Sequence, residues 1–187
     1  MQGIGYVTLF SVSNNHTSTK TTVKHCSKTQ SMNIIKTFQK AFELKYLRNW
    51  DKIYVLVDVH DTIMVGMKPE PSGENLVWYD KAIEALKLMQ ERGDICLIMW
   101  TGAYPLRINT YRAILAQKGV KFDYENENPD VDYSEFYCVD SKIYFNVGID
   151  DRFGFEPEKD WDEIVRYLKI LKVKEETFSD KAFLDKI

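Results

Sequence analysis

The chain has 187 residues, of which 44% are hydrophobic and 28% charged, the profile of a globular domain of ordinary size with a full apolar core. A formal charge of −3 gives no drive toward nucleic acid or an anionic membrane, and no apolar run reaches the ~20 residues that span a bilayer. The three cysteines, Cys26, Cys96 and Cys138, are widely spaced and form no CxxC pair, which points to a reducing, cytoplasmic setting.

Charge is uneven along the chain. Residues 1–42 hold five lysines and no acid, so the remainder carries −8. GIGYVTLFSV is apolar but lacks a basic segment before it and a small-residue cleavage site after it, which argues against a secretion signal. Residues 11–31 are rich in Ser and Thr and free of acids, as transit peptides are, but contain no arginine. Residues 1–31 therefore read as a disordered extension, with Met32 as an alternative start and with His16 and His25 outside any site. A single domain is expected over 32–175, followed by a tail over 176–187.

SMNIIKTFQKAFELKYLRNW, 31–50, has helical spacing of apolar residues. IYVLVDV, 53–59, is a continuous β-branched run suited to a strand buried on both faces. Gly66, Pro69, Pro71 and Gly73 punctuate the next stretch as turns or a short flap. YDKAIEALKLMQERGD, 79–94, predicts a helix ended by Gly93. ICLIMWTG, 95–102, is a second buried strand, with Cys96 in the core. PLRINTYRAILAQKG, 105–119, predicts a helix with Pro105 in its first turn and Gly119 at its end. VKFDY reads as a short strand. The segment 123–140 has seven acids and no base and reads as a solvated loop. KIYFNVGIDD, 142–151, predicts another strand, and EPEKDWDEIVRYLKILK, 156–172, a closing amphipathic helix. Strands alternating with helices define an α/β fold with a mainly parallel sheet flanked by helices.

Three apolar strands end on polar residues: Asp58, Thr101 and the pair Asp150–Asp151. Open parallel sheets bind ligands at the carboxyl ends of their strands, so these groups converge if the strands are neighbours. Gathered carboxylates repel one another unless a cation lies among them, and hard oxygen ligands select Mg²⁺. A hydroxyl, backbone N–H groups at a strand-to-helix turn and a lysine suit phosphoryl oxygens. A carboxylate aimed at phosphorus is a nucleophile.

The ordered motifs DVHDT, LIMWTG, a lysine and VGIDD resemble the haloacid dehalogenase-like superfamily of phosphohydrolases over residues 53–170, and IDDR is similar to the polynucleotide-kinase-type phosphatase domains within it. The resemblance implies a three-layer Rossmann-like fold and an aspartyl-phosphate mechanism. It makes Asp58 the nucleophile and gives Thr101, with the Gly102 N–H, the phosphoryl oxygens. Lys142 would neutralise the transferring group, with Lys118 and Lys121 as competitors. Mg²⁺ would be held by Asp58, Asp150, Asp151 and the carbonyl of His60. Thr62 completes the first motif. Family phosphatases usually carry a second aspartate where this chain has His60. Two residues along a strand point the same way, so His60 is expected to reach that place as acid and base, and Asp61 to face away.

A receiver-type signalling domain gathers similar groups in another order, acid pair first, and is disfavoured on that ground. A relative that binds a phosphorylated ligand or partner without hydrolysis is the alternative that His60 keeps open. The segments near 62–76 and 120–141 are too short for a full cap domain. The expected substrate is a small phosphoester such as a nucleotide, ahead of a nucleic-acid end, with no membrane partner. Tyr104 stands where a substrate can touch it. Trp78, Tyr79 and Trp161 read as packing residues, and Cys138 has no base beside it to make it a nucleophile.

Overall fold

A computed structural model describes residues 33–66, 76–131 and 142–184. The expected extension over 1–31, Met32, the turn residues Pro69, Pro71 and Gly73, and Cys26 and Cys138 lie outside the described residues. So do parts of both segments considered for a cap.

Helix α1 spans Ile34–Leu47. It starts later than the periodicity suggests because Asn33 caps it, accepting from the N–H groups of Ile35 and Lys36 at 3.0 and 3.3 Å. It stops before Trp50 because Asn49 turns left-handed, at φ 54°. Strand β1, Ile53–Asp58, is followed by α2, Ala82–Glu91. This helix is shorter than expected at both ends, since Lys81 is left-handed at φ 62° and Gly93 at φ 71°. Strand β2 is Ile95–Trp100, and α3 is Pro105–Gln117, with Pro105 in its first turn. Strand β3 is only Tyr124–Glu125, and β4 is Val147–Ile149. A single 3₁₀ turn, Asp151–Phe153, then leads to α4, Pro157–Leu184. α4 runs on past Lys172 because neither Pro nor Gly interrupts the sequence to Leu184.

Strand β4 falls short of the predicted 142–151. The side chain of Asn146 accepts from the Tyr54 N–H, and its own N–H donates to the Tyr54 carbonyl, both at 2.8 Å. The chain before it leaves the ladder. Tyr144 gives its carbonyl to the Asn128 side chain at 2.9 Å and sets its ring edge-on to Trp50 and Tyr54.

The four described strands are all parallel, in the order β3-β2-β1-β4. β1 is thus central, paired with β2 from Ile53↔Ile95 to Asp58↔Trp100 and with β4 from Val55↔Val147 to Val57↔Ile149. Alternate side chains divide the sheet between two cores. Ile53, Val55, Val57, Leu97, Met99, Val147 and Ile149 pack with buried residues of α1, α2 and α4 and with Tyr111 and Leu115 of α3. Leu56, Cys96 and Ile98 face the other way, where Ile143 and Phe145 of the β3–β4 connection cover them. The protein is an α/β, Rossmann-like fold. No described helix is long and apolar enough to cross a membrane.

The acidic stretch after α3 is more than a solvated loop. Asp123 accepts from the Leu97 N–H at 2.7 Å, and Asp130 takes Lys52 at 2.9 Å and the Tyr124 hydroxyl at 2.6 Å. Lys52 and Tyr124 hold the Asp130 carboxyl below the usual carboxylate range. These bonds tie the β3 side of the sheet to the start of β1.

Candidate functional site

The chain runs β1, β2, β3 outward in one direction, then returns to lay β4 on the free side of β1. That reversal makes the carboxyl ends of β1 and its two neighbours a switch point, where parallel sheets open a crevice. A cavity of ≈ 670 Å³ lies there, lined by Asp58, His60, Asp61, Trp100, Thr101, Gly102, Ala103, Tyr104, Arg107 and Asp150 to Arg152.

Asp58 is the last residue of β1, while Asp150 and Asp151 follow β4. Among the described residues these three form the group able to hold a metal, each offering an oxygen within 4.8 Å of the other two. Asp150 is buried, Asp58 half-buried and Asp151 exposed. Burial pushes the Asp58 carboxyl up to about 6, and the nearby charges of Asp150 and Asp151 push the same way against a Val59 backbone hydrogen bond and His60. Three converging carboxylates, one of them reluctant to ionise, are a donor set that fits a hard divalent cation.

Thr62 braces the cluster. It is fully buried, its Oγ1 donates to Asp58 Oδ2 at 3.4 Å, and the same oxygen accepts from the Asp151 N–H at 3.2 Å. Its carbonyl accepts from Trp161 Nε1 at 2.8 Å, which anchors the loop after β1 to α4. Asp150 is held in turn, its side chain accepting from the Arg152 N–H at 2.8 Å. Gly148 admits the ring of Phe153, since a Cβ there would stand 2.9 Å from the Phe153 Cδ2 atom.

Thr101 and Gly102 follow β2 and line the cavity from the other side. The Thr101 peptide is clamped by Asn126, whose side chain accepts from its N–H and donates to its carbonyl, each at 2.8 Å. Asn126 sits at φ 55°, where Asn is tolerated and most residues are strained. Its role was not visible in the sequence, because an Asn 25 residues from the motif gives no periodic signal.

His60 lines the cavity with Asp58, but not for the reason its spacing suggests. The strand ends at Asp58 and the chain turns tightly, with a bridge between His60 and Met64 and a left-handed Asp61 at φ 54°. The turn also brings Asp61 to the cavity rather than to the opposite face, with the Gly66 N–H donating to Asp61 Oδ1 at 2.8 Å. Nε2 of His60 meets the Tyr111 hydroxyl at 2.8 Å, and the rings stand at 81°. Tyr111, a buried residue of α3, was hidden in the sequence by looking like any core aromatic.

Lys142 does not line this cavity. It is exposed and precedes Tyr144, which packs at the start of β1, the end of the sheet away from Asp58. Lys121 lines a separate hollow beside α3, and Lys118 stacks over Trp78 at 4.9 Å. Among the described residues, the arginine and lysine cations that line the main cavity are Arg107 and Arg152. Trp161 is wholly buried, Trp78 and Tyr79 pack against the core, and Tyr104 lines the cavity at 84% exposure. Burial raises the Cys96 thiol to about 12, so it is no nucleophile at neutral pH.

Comparison with protein-family models and with curated proteins gives no match. Among solved structures, a conserved protein coded by a locus of Bacteroides thetaiotaomicron is similar, with a TM-score of 0.49 and 24% identity, over 63% of this chain and 90% of that one. The functional conclusion therefore rests on the site's own residues.

Proposed function

We propose that the protein is a Mg²⁺-dependent phosphomonoester hydrolase of the haloacid dehalogenase-like type, working through an aspartyl-phosphate on Asp58. The observation that carries this reading is the trio Asp58, Asp150 and Asp151 at the ends of adjacent strands, facing Thr101 and Gly102 across one cavity. Asp58, Asp150 and Asp151 would hold the cation, which when bound neutralises phosphoryl oxygens and keeps Asp58 ionised.

Asp58 attacks phosphorus as the bond to the leaving oxygen breaks. Thr101 Oγ1 and the Gly102 N–H hold phosphoryl oxygens, and Arg152 supplies the positive charge that the sequence pattern assigns to Lys142. His60 gives a proton to the leaving oxygen. With Nε2 on Tyr111, Nδ1 is the exchanging atom. The same nitrogen then takes a proton from water, whose oxygen attacks phosphorus, releases inorganic phosphate and restores the Asp58 carboxylate. The substrate is a small phosphorylated molecule rather than a nucleic-acid end, since acids outnumber bases around the cavity. We place the activity in the cytoplasm, where the buried Cys96 thiol stays reduced.

The Tyr111 contact favours one other reading. A His60 committed to that hydroxyl and idle in proton transfer would leave a protein that binds a phosphorylated ligand or partner without hydrolysing it. Hydrolysis of an aryl phosphate, with and without Mg²⁺, by wild type and Asp58→Asn separates the two. Turnover that requires both the metal and Asp58 is expected. Mg²⁺ binding by a folded protein with no turnover would move the conclusion to the binding role.

A further inference from the structure

Two arginines stand among the acids of the main cavity. Arg107 and Arg152 both line it, and they come from opposite sides. Arg107 lies in the first turn of α3, after β2, and Arg152 in the 3₁₀ turn after β4. β1, with Asp58, runs between those two strands. Arg152 follows the carboxylate pair directly, and its N–H is bonded to Asp150, which ties it to the phosphoryl end. Arg107 stands six residues beyond Thr101 and lines the cavity with Tyr104.

The surroundings of Arg107 define what it meets. Its N–H donates to the Tyr104 carbonyl at 2.8 Å, so the two share one turn of backbone. Tyr104 is 84% exposed yet lines the cavity, an arrangement core packing does not explain. Trp100, half-buried, lines it too. Aromatic faces accept flat groups, and a guanidinium pairs with carboxylate or phosphate through two parallel hydrogen bonds. The ≈ 670 Å³ of space is within the range of small-ligand pockets. A divalent cation with the two arginines balances the carboxylates of Asp58, Asp61, Asp150 and Asp151, so a second anion would be held by its local pairing with a guanidinium and not by the net charge of the cavity.

We propose that the substrate is a small phosphomonoester whose leaving group is flat and carries a second anionic group, carboxylate or phosphate, received by Arg107 beside Tyr104. This rests on the hydrolase reading and names its substrate class.

The test compares phenyl phosphate, 4-carboxyphenyl phosphate and benzene-1,4-diyl bisphosphate, with Mg²⁺, on wild type and Arg107→Gln. The expected kcat/KM ratio of a charged probe to phenyl phosphate is about tenfold in wild type, falling toward one in Arg107→Gln through a rise in KM, as loss of one charge-assisted pair implies. The better of the two charged probes identifies the second anion. A wild-type ratio of one or less, or a ratio that Arg107→Gln leaves unchanged, overturns the proposal. Calorimetric binding of the same probes to Asp58→Asn and to Asp58→Asn/Arg107→Gln decides it without turnover, by the same ratio of affinities. Failure of hydrolysis with an intact binding preference would count against the hydrolase reading alone.

Discussion

Replacing Asp58 by Asn should make the metal-free protein more stable at neutral pH. Burial, with Asp150 and Asp151 nearby, lifts this carboxyl from 3.8 to about 6. A raised carboxyl contributes stability that is complete below its unfolded value and is lost as pH rises through its folded value. A rise of that size makes the folded environment favour the protonated form by about 3 kcal/mol. Asp58 is only half-buried, and solvent screening reduces that to about 1–2 kcal/mol. For a chain of this size, the gain in Tm is roughly 2–8 °C. Thermal unfolding in a chelator, followed from pH 3.5 to 8, provides the measurement. Asp58→Asn should melt above wild type at pH 7.5, and the curves should converge near pH 3.5. A variant less stable than wild type at pH 7.5, or a difference that does not change with pH, would refute the electrostatic account of the cluster.

Added Mg²⁺ should reverse that order by stabilising wild type more than Asp58→Asn, about 2.7 kcal/mol at a hundredfold excess over Kd. Because the metal needs ionised Asp58, calorimetric affinity should fall about tenfold per pH unit below the carboxyl's value of about 6. Tyr111→Phe keeps the ring against His60 but removes the hydroxyl contact. It should cost about 1 kcal/mol by denaturant unfolding and slow alkyl phosphates roughly tenfold more than an activated aryl phosphate, which needs no acid. Equal effects on both substrates would make the contact structural only. Lys142→Ala should retain turnover of aryl phosphate, whereas Arg152→Ala should lose on the order of a hundredfold, as removal of one transition-state donor does. Trp161→Phe empties space in a fully buried site and deletes the bond to the Thr62 carbonyl. It should destabilise the fold by about 2–3 kcal/mol, with a fall in turnover because Thr62 positions Asp58 and Asp151.

The sequence by itself determined most elements and the strand ends that carry polar residues. Runs such as YVLV and CLIM are apolar without alternation because both their faces are buried, and that pattern survives in a linear reading. Asp58, Thr101 and Asp150 interrupt such runs abruptly, so their exceptional position was legible. Gly93 and Gly119 marked helix ends through local backbone preference, which depends only on near neighbours. Only the tertiary structure decided that β1 lies between β2 and β4, and hence that these residues share one cavity. It also decided which described cations line that cavity: Lys142 precedes the right strand but lies toward the far end of the sheet, while Arg107 and Arg152 arrive on turns that follow two different strands. Tyr111 and Asn126 act across 51 and 25 residues of chain. Contacts of that span are set by how helices and strands pack, and a hydrogen bond between distant residues leaves no period or spacing in the sequence from which to read it.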